Sequence, residues 1–224
     1  MRQNKQAGMT LIELTVVLLV LVALAGLAIP YVSGTSRKAL CDATDVSMAN
    51  IKRVIMEGYY LDTLGNYPVS KSGGTIGSDY SLSYLFDQSG WAGFDLDSQV
   101  GWRGPYLQGG MTLNAADLQG NFKNLTYVNK KLDDGVQVAV LDGWGRPFVI
   151  QVVSNADCTD ASKWNITTTE AYCARLVSAG FGSGVGVGKA DLETTKEGRL
   201  VGDDRMLYLN VPTPAVDINP SCAD

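Results

Sequence analysis

The chain contains no histidine. That removes the imidazole on which Ser/His and Cys/His nucleophilic sites depend, and with it the commonest zinc ligand. Its four cysteines, Cys41, Cys158, Cys173 and Cys222, form no Cys-x-x-Cys pair, so thiolate zinc sites are excluded as well. A net charge of −5 repels nucleic acid and gives no hint of a nucleic-acid partner. No stretch nominates a pair of carboxylates for hydrolysis, and the sequence supports no enzyme reading. The glycine-rich loop 180–189 fails the phosphate-binding templates: Ser183 stands where the first glycine is needed, and Ala190 follows Lys189 where Ser or Thr would hold magnesium. Its glycines alternate strictly, which also excludes Gly-x-Gly-x-x-Gly. It reads as a flexible connector.

Charge is scarcest between Met9 and Ile29, where Glu13 is the one charged residue among 21. At about 1.5 Å per residue this run makes a helix roughly 30 Å long, the thickness of a hydrocarbon core. Leu, Val, Ala and Ile leave it no polar face, so the stretch reads as a membrane span. A secretory signal peptide, with an apolar core of about 7–15 residues, fits less well. A carboxylate inside a span costs about 2.5–3.5 kcal/mol on insertion scales and asks for a cationic partner, unless it sits at the interface. Cleavage after Gly8 would supply one, the new α-amino group of Met9. With many copies packed together, Glu13 of one subunit would neutralise the Met9 amine of the next and pin their register. Arg37 and Lys38 beyond the span balance Arg2 and Lys5 before it, so charge alone sets no orientation.

The run Gly8-Met9-Thr10-Leu11-Ile12-Glu13-Leu14, after a short basic leader and before an apolar span, resembles the class III signal of type IV pilins and type II secretion pseudopilins. The resemblance implies cleavage after Gly8 by a prepilin peptidase and N-methylation of Met9. It also implies assembly through Glu13, and Pro30 falls where many family members carry a helix-kinking proline. Two body segments are similar to the major (G-type) pseudopilins: Gly104-Pro105-Tyr106-Leu107, and Asp142-Gly143-Trp144-Gly145-Arg146-Pro147, in which Gly143 stands for the usual proline. The function this resemblance implies is that of a structural subunit of a type II secretion pseudopilus. The alternatives are a type IV pilin serving adhesion, motility or DNA uptake, and a membrane-anchored periplasmic module that never polymerises. The implied partners are copies of itself and other pilins or pseudopilins, the peptidase, an inner-membrane assembly platform and the membrane, with no nucleic acid. The implied location is the bacterial inner membrane, single-pass, with the head in the periplasm and assembly into a periplasmic or extracellular filament.

Major pseudopilins also carry a calcium loop. Ser178-Ala179-Gly180-Phe181-Gly182 matches its start, with Gly182 where the first aspartate belongs, and Gly202-Asp203-Asp204 matches its acidic end. Calcium takes about six to eight oxygens, so Asp203 and Asp204 would need backbone carbonyls, Asp191 or Glu193; a solvated acidic turn is the competing reading. The sequons at Asn124 and Asn165 are chance matches in a chain that looks bacterial.

The expected fold is α+β and pilin-like: a leader over 1–8, a transmembrane and filament-core helix over 9–29, the second half of that long helix over 30–62, and a globular head over 63–224. The long helix, membrane-spanning in its first half, packs on a small, mostly antiparallel sheet. Ile51, Val54, Ile55 and Tyr59 follow helical spacing and face that sheet. Residues 62–135 read as irregular, with a turn at Asn66-Tyr67-Pro68 and with Trp91, Phe94 and Trp102 pinning the segment to the body. Periodicity leaves Tyr80–Phe86 open between helix and strand. Val136–Leu141 and Phe148–Val153 read as a hairpin with a six-residue loop, and Ala174–Ala179 and Met206–Val211 complete about four strands. The cysteines point to disulfides in an oxidising compartment and allow three connectivities. Cys158–Cys173 closes a short loop worth roughly 3 kcal/mol, and Cys41–Cys222 would then tie the C-terminus to the helix.

Overall fold

The computed structural model describes residues 11–113, 126–127, 130–131, 137–154, 158, 168, 170–178, 180, 205–210 and 222, with the side chains of 27–35, 79, 113, 126–127, 130–131 and 137 outside that set. Helix α1 runs Leu11–Val54, 44 residues, unbroken through Pro30 and Gly34. A wide π-helical turn, Ile55–Tyr59, and the single turn α2, Tyr60–Asp62, come after it. The chain divides into two compact units, one up to Ala39 with Ala223, the other Leu40–Cys222 with Asp224.

This corrects the expected fold class. No helix among the described residues is long and apolar enough to cross a membrane. Beyond Gly34 the helix carries Arg37, Lys38, Asp42 and Asp45. The single-pass inner-membrane placement falls with the span. Nor do the described residues form one sheet for a long N-terminal helix to lie on: within the second unit, the helical residues that reach β-structure begin beyond Leu40, and the described β-structure is split into four small antiparallel sheets.

Strands β1, Val69–Ser72, and β2, Thr75–Tyr80, form a hairpin inside the stretch expected to be irregular. Its two-residue loop is Gly73-Gly74, with φ of 57° and 87°, values that residues with a Cβ adopt only under strain. The ambiguous segment splits: Tyr80 ends β2, and Leu82–Leu85 is a 3-10 turn capped by Ser81. Strands β3, Met111–Leu113, and β6, Gln137–Ala139, pair with each other, as do the short β4, Thr126–Tyr127, and β5, Lys130–Lys131. Strands β7, Val149–Val153, β8, Cys173–Ser178, and β9, Arg205–Tyr208, make a three-stranded sheet in that order.

The expected 136–153 hairpin is real only at its tip. Leu141 bridges Pro147, and the Phe148 N–H donates to the Val140 carbonyl at 2.9 Å. The strands then part, β6 to β3 and β7 to β8. Every residue of β7 is buried, so the strand takes the central neighbour that covers it rather than its sequence neighbour.

The core of the second unit gathers Met48, Ile51, Ile55 and Tyr59 with Ile150, Val152, Ala174 and Leu176. Burying one such aliphatic side chain stabilises by about 1.5–3 kcal/mol. The Tyr59 hydroxyl donates to the Val69 carbonyl at 2.9 Å and accepts the Val69 N–H at 3.2 Å, and Trp91 Nε1 donates to the same carbonyl at 2.9 Å. Burial holds the Tyr59 phenol above its usual range. Asp62, buried at the end of α2, accepts from the Tyr106 hydroxyl at 2.9 Å and pairs with Arg103 Nε at 3.0 Å. The Gly101 N–H donates to the Asp62 carbonyl at 2.8 Å. These bonds dock the Gly101–Leu107 segment on the helix end, with Trp102 edge-on to Tyr106 at 5.9 Å. Desolvation pushes the Tyr106 hydroxyl up to about 12.

Candidate assembly surface

The first turns of α1 present apolar side chains on every side. Eleven large hydrophobic residues from Leu11 to Leu24 are exposed, and even the most covered, Val20, is 50% accessible. The run Val16–Val22 is unbroken; at about 100° per residue, seven successive positions encircle the helix. Thr15 does not interrupt this, because its hydroxyl donates back to the Ile12 carbonyl at 2.9 Å. Covering eleven half-exposed side chains would stabilise by on the order of 10 kcal/mol, so this surface favours an apolar environment strongly. Glu13 stands in the first turn of α1 and is exposed. Pro30 lies within the helical backbone. Gly8 and Met9, the expected processing positions, lie outside the described residues.

At Leu40, where the second unit begins, the Asp142–Pro147 turn is fastened to the helix. Thr44 Oγ1 donates to the Leu40 carbonyl and accepts the Gly143 N–H, both at 2.9 Å. Asp142 is buried. Its Oδ1 accepts the N–H groups of Trp144 at 2.9 Å and Arg146 at 2.8 Å, and its Oδ2 accepts the Ser178 hydroxyl at 2.6 Å. Burial raises the Asp142 carboxyl above the usual carboxylate range, against the pull of those hydrogen bonds. A Cβ at position 143 would overlap the Leu40 carbonyl oxygen and press on Thr44 Oγ1. Proline at this position would overlap the helix and delete the N–H that Thr44 accepts. Gly143→Ala is expected to lower stability by about 2–3 kcal/mol, and Gly143→Pro by more, measured by urea denaturation.

Two disulfides close, Cys41–Cys222 with a Cα separation of 5.7 Å and Cys158–Cys173 with one of 6.0 Å. Arg205, 2% exposed, packs its guanidinium on both sulfurs of the first and faces Asp45 Oδ1 at 3.4 Å. Burial raises the Asp45 carboxyl, and Arg205 draws it partly back. Cys41, Asp45 and Cys222 cluster with metal-like spacing, but the sulfurs are bonded to each other and leave one carboxylate, too little for a metal. On the three-stranded sheet, the cross-strand row Gln151–Arg175–Tyr208 is held by Arg175 Nε donating to Gln151 Oε1 at 2.8 Å.

The calcium candidates Asp203 and Asp204, with Asp191, Glu193 and Gly182, lie outside the described residues, as do Asn124 and Asn165. Trp91 is buried and Trp102 packs against the core, while Phe94 lies under the Arg103 guanidinium at 5.0 Å. Sequence reasoning misses Asp62, Arg205 and the anchoring role of Asp142. Only Asp142 carries a signal, since an aspartate opening a Gly-rich turn is the residue that accepts the turn's own N–H groups.

No family model matches the chain, and neither the curated proteins nor the solved structures give a match.

Proposed function

We propose that this chain is a structural, non-catalytic subunit that polymerises through the apolar first half of α1, in the manner of a type II secretion pseudopilin. The observation that carries this reading is the apolar circumference of Leu11–Leu24. A helix exposed on one stripe needs one groove; a helix apolar all round needs several apolar neighbours. Copies of the same helix meet that need for one another and bury the same surface many times over. In such a core Glu13 pairs with the N-terminal amine of the adjacent copy once a peptidase has cut after Gly8, because a buried charge is tolerable only when paired. The docked Gly101–Leu107 segment and the Asp142–Pro147 turn, both similar to major pseudopilin segments, favour the secretion pseudopilus over an adhesive pilus.

Glu13→Ala is expected to reduce filament formation at least tenfold, scored by electron microscopy and sedimentation, while the disulfide-bonded second unit keeps its circular dichroism spectrum. Filaments of normal yield and order from this variant would sink the pairing scheme. Intact mass of the purified protein is expected to lack residues 1–8 and to carry one added methyl group; a mass retaining Met1 removes the amine and the scheme with it.

A further inference from the structure

The second unit holds a cavity of about 410 Å³ whose walls include four tyrosines, Tyr60, Tyr67, Tyr80 and Tyr172, with Asn66 and Glu170. Tyrosine is drawn to it from four separate places: α2, the Asn66-Tyr67-Pro68 turn, the end of β2 and the residue before β8. Tyr60 and Tyr67 lie with ring centroids 5.2 Å apart, tilted at 45°, so they offer different edges and faces to one space. Glu170 is the single formally charged residue of the lining. Among the described residues the Tyr67 hydroxyl is buried with no hydrogen-bond partner, although the ring itself is 1% exposed. A buried hydroxyl left unmatched is disfavoured unless something else completes it.

Aromatic rings have negative faces, and several of them around a space of this size with one carboxylate make an environment that attracts an organic cation and disfavours an anion. Cavities of roughly 300–1,000 Å³ are the range in which small ligands are held. Tyr172, 58% exposed, and Glu170 leave the cavity accessible from solvent.

We infer that this cavity is a binding site for a small ammonium ligand, its alkylated head group seated among Tyr60, Tyr67, Tyr80 and Tyr172 and its charge facing Glu170. The site is independent of the assembly surface on α1. Its ligand carries a compact cationic head.

The test uses the full chain in a non-ionic maltoside detergent, with choline and its neutral isostere 3,3-dimethyl-1-butanol titrated calorimetrically. Choline is expected to bind at least tenfold more tightly than the isostere. Glu170→Gln is expected to weaken choline about fivefold or more, and Tyr172→Ala about tenfold. Tyr172 is largely exposed and its backbone bonds survive the change, so unfolding does not confuse that result; an unchanged melting curve checks it. Equal affinity for the two probes would overturn the cationic reading, as would binding unaffected by both substitutions. No binding of choline at millimolar concentration would overturn the site.

Discussion

Replacing Cys41 and Cys222 together with serine is expected to lower the stability of the second unit by about 5 kcal/mol. The bridge spans 181 residues in sequence. In the chain-entropy treatment a loop of that length restricts the unfolded chain by roughly 5 kcal/mol, against ~3 for the 15-residue separation of Cys158 and Cys173. A second effect adds to the first. Arg205 lies against both sulfurs and beside Asp45, and its guanidinium is almost wholly buried. Opening the bridge releases the residue 222 end from this charge. A domain whose total stability is about 5–15 kcal/mol would then be close to unfolding. Guanidinium denaturation under oxidising conditions checks this, with the Cys158→Ser/Cys173→Ser variant as comparison. The larger loss is expected for the 41–222 pair. Equal losses, or a loss below about 1 kcal/mol for that pair, would show that the long loop is already restrained in the unfolded chain.

The second unit is legible in the sequence wherever its signal is local. An even number of cysteines with no metal spacing points to two disulfides, and the β-branched run Val149–Val153 points to a strand. Ser72-Gly73-Gly74-Thr75 is equally local: two glycines between short polar strands mark a two-residue hairpin loop, but the strands on either side are not apolar and so hide it. The 136–153 hairpin misleads for the opposite reason. Its loop is right, but a strand buried on both faces chooses neighbours by burial, and those neighbours come from distant sequence. Asp62 meets Arg103 and Tyr106 across 41 and 44 residues, and the tyrosines of the cavity are drawn from positions 60 to 172. No spacing rule reaches so far. The apolar run at the N-terminus is legible as helix, because helix is the local consequence of Leu, Val and Ala. What surrounds that helix is not a local property, and the step from apolar to membrane-spanning is the one the described residues do not support.

Asp142→Ala is expected to cost about 3–4 kcal/mol, because its carboxylate holds together the turn that fastens the sheet to the helix. The carboxylate completes two backbone N–H groups, of Trp144 and Arg146, and the Ser178 hydroxyl. Hydrogen bonds to an ionised group contribute about 1.5–3 kcal/mol each, and donors stranded by removing a buried acceptor add their own cost. Alanine removes all three at once and leaves a space beneath Gly143, whose N–H binds Thr44. Asp142→Asn separates charge from shape. Its oxygen still accepts from Trp144 and Arg146, and its amide can donate to Ser178 Oγ, so it should cost about 1 kcal/mol or less at neutral pH. The two also differ in pH dependence. Burial raises the folded carboxyl above 3.8, so the folded chain binds this proton more tightly than the unfolded chain does. That contribution is fully present below 3.8 and is lost as pH rises through the folded value. The stability of the wild type relative to Asp142→Asn is therefore expected to fall as pH climbs across that window and to level off above it. Urea denaturation in steps upward from pH 3.5 reads the trend. A difference that instead grows with pH would mean that the three donors outweigh burial and that Asp142 is held below, not above, its ordinary range.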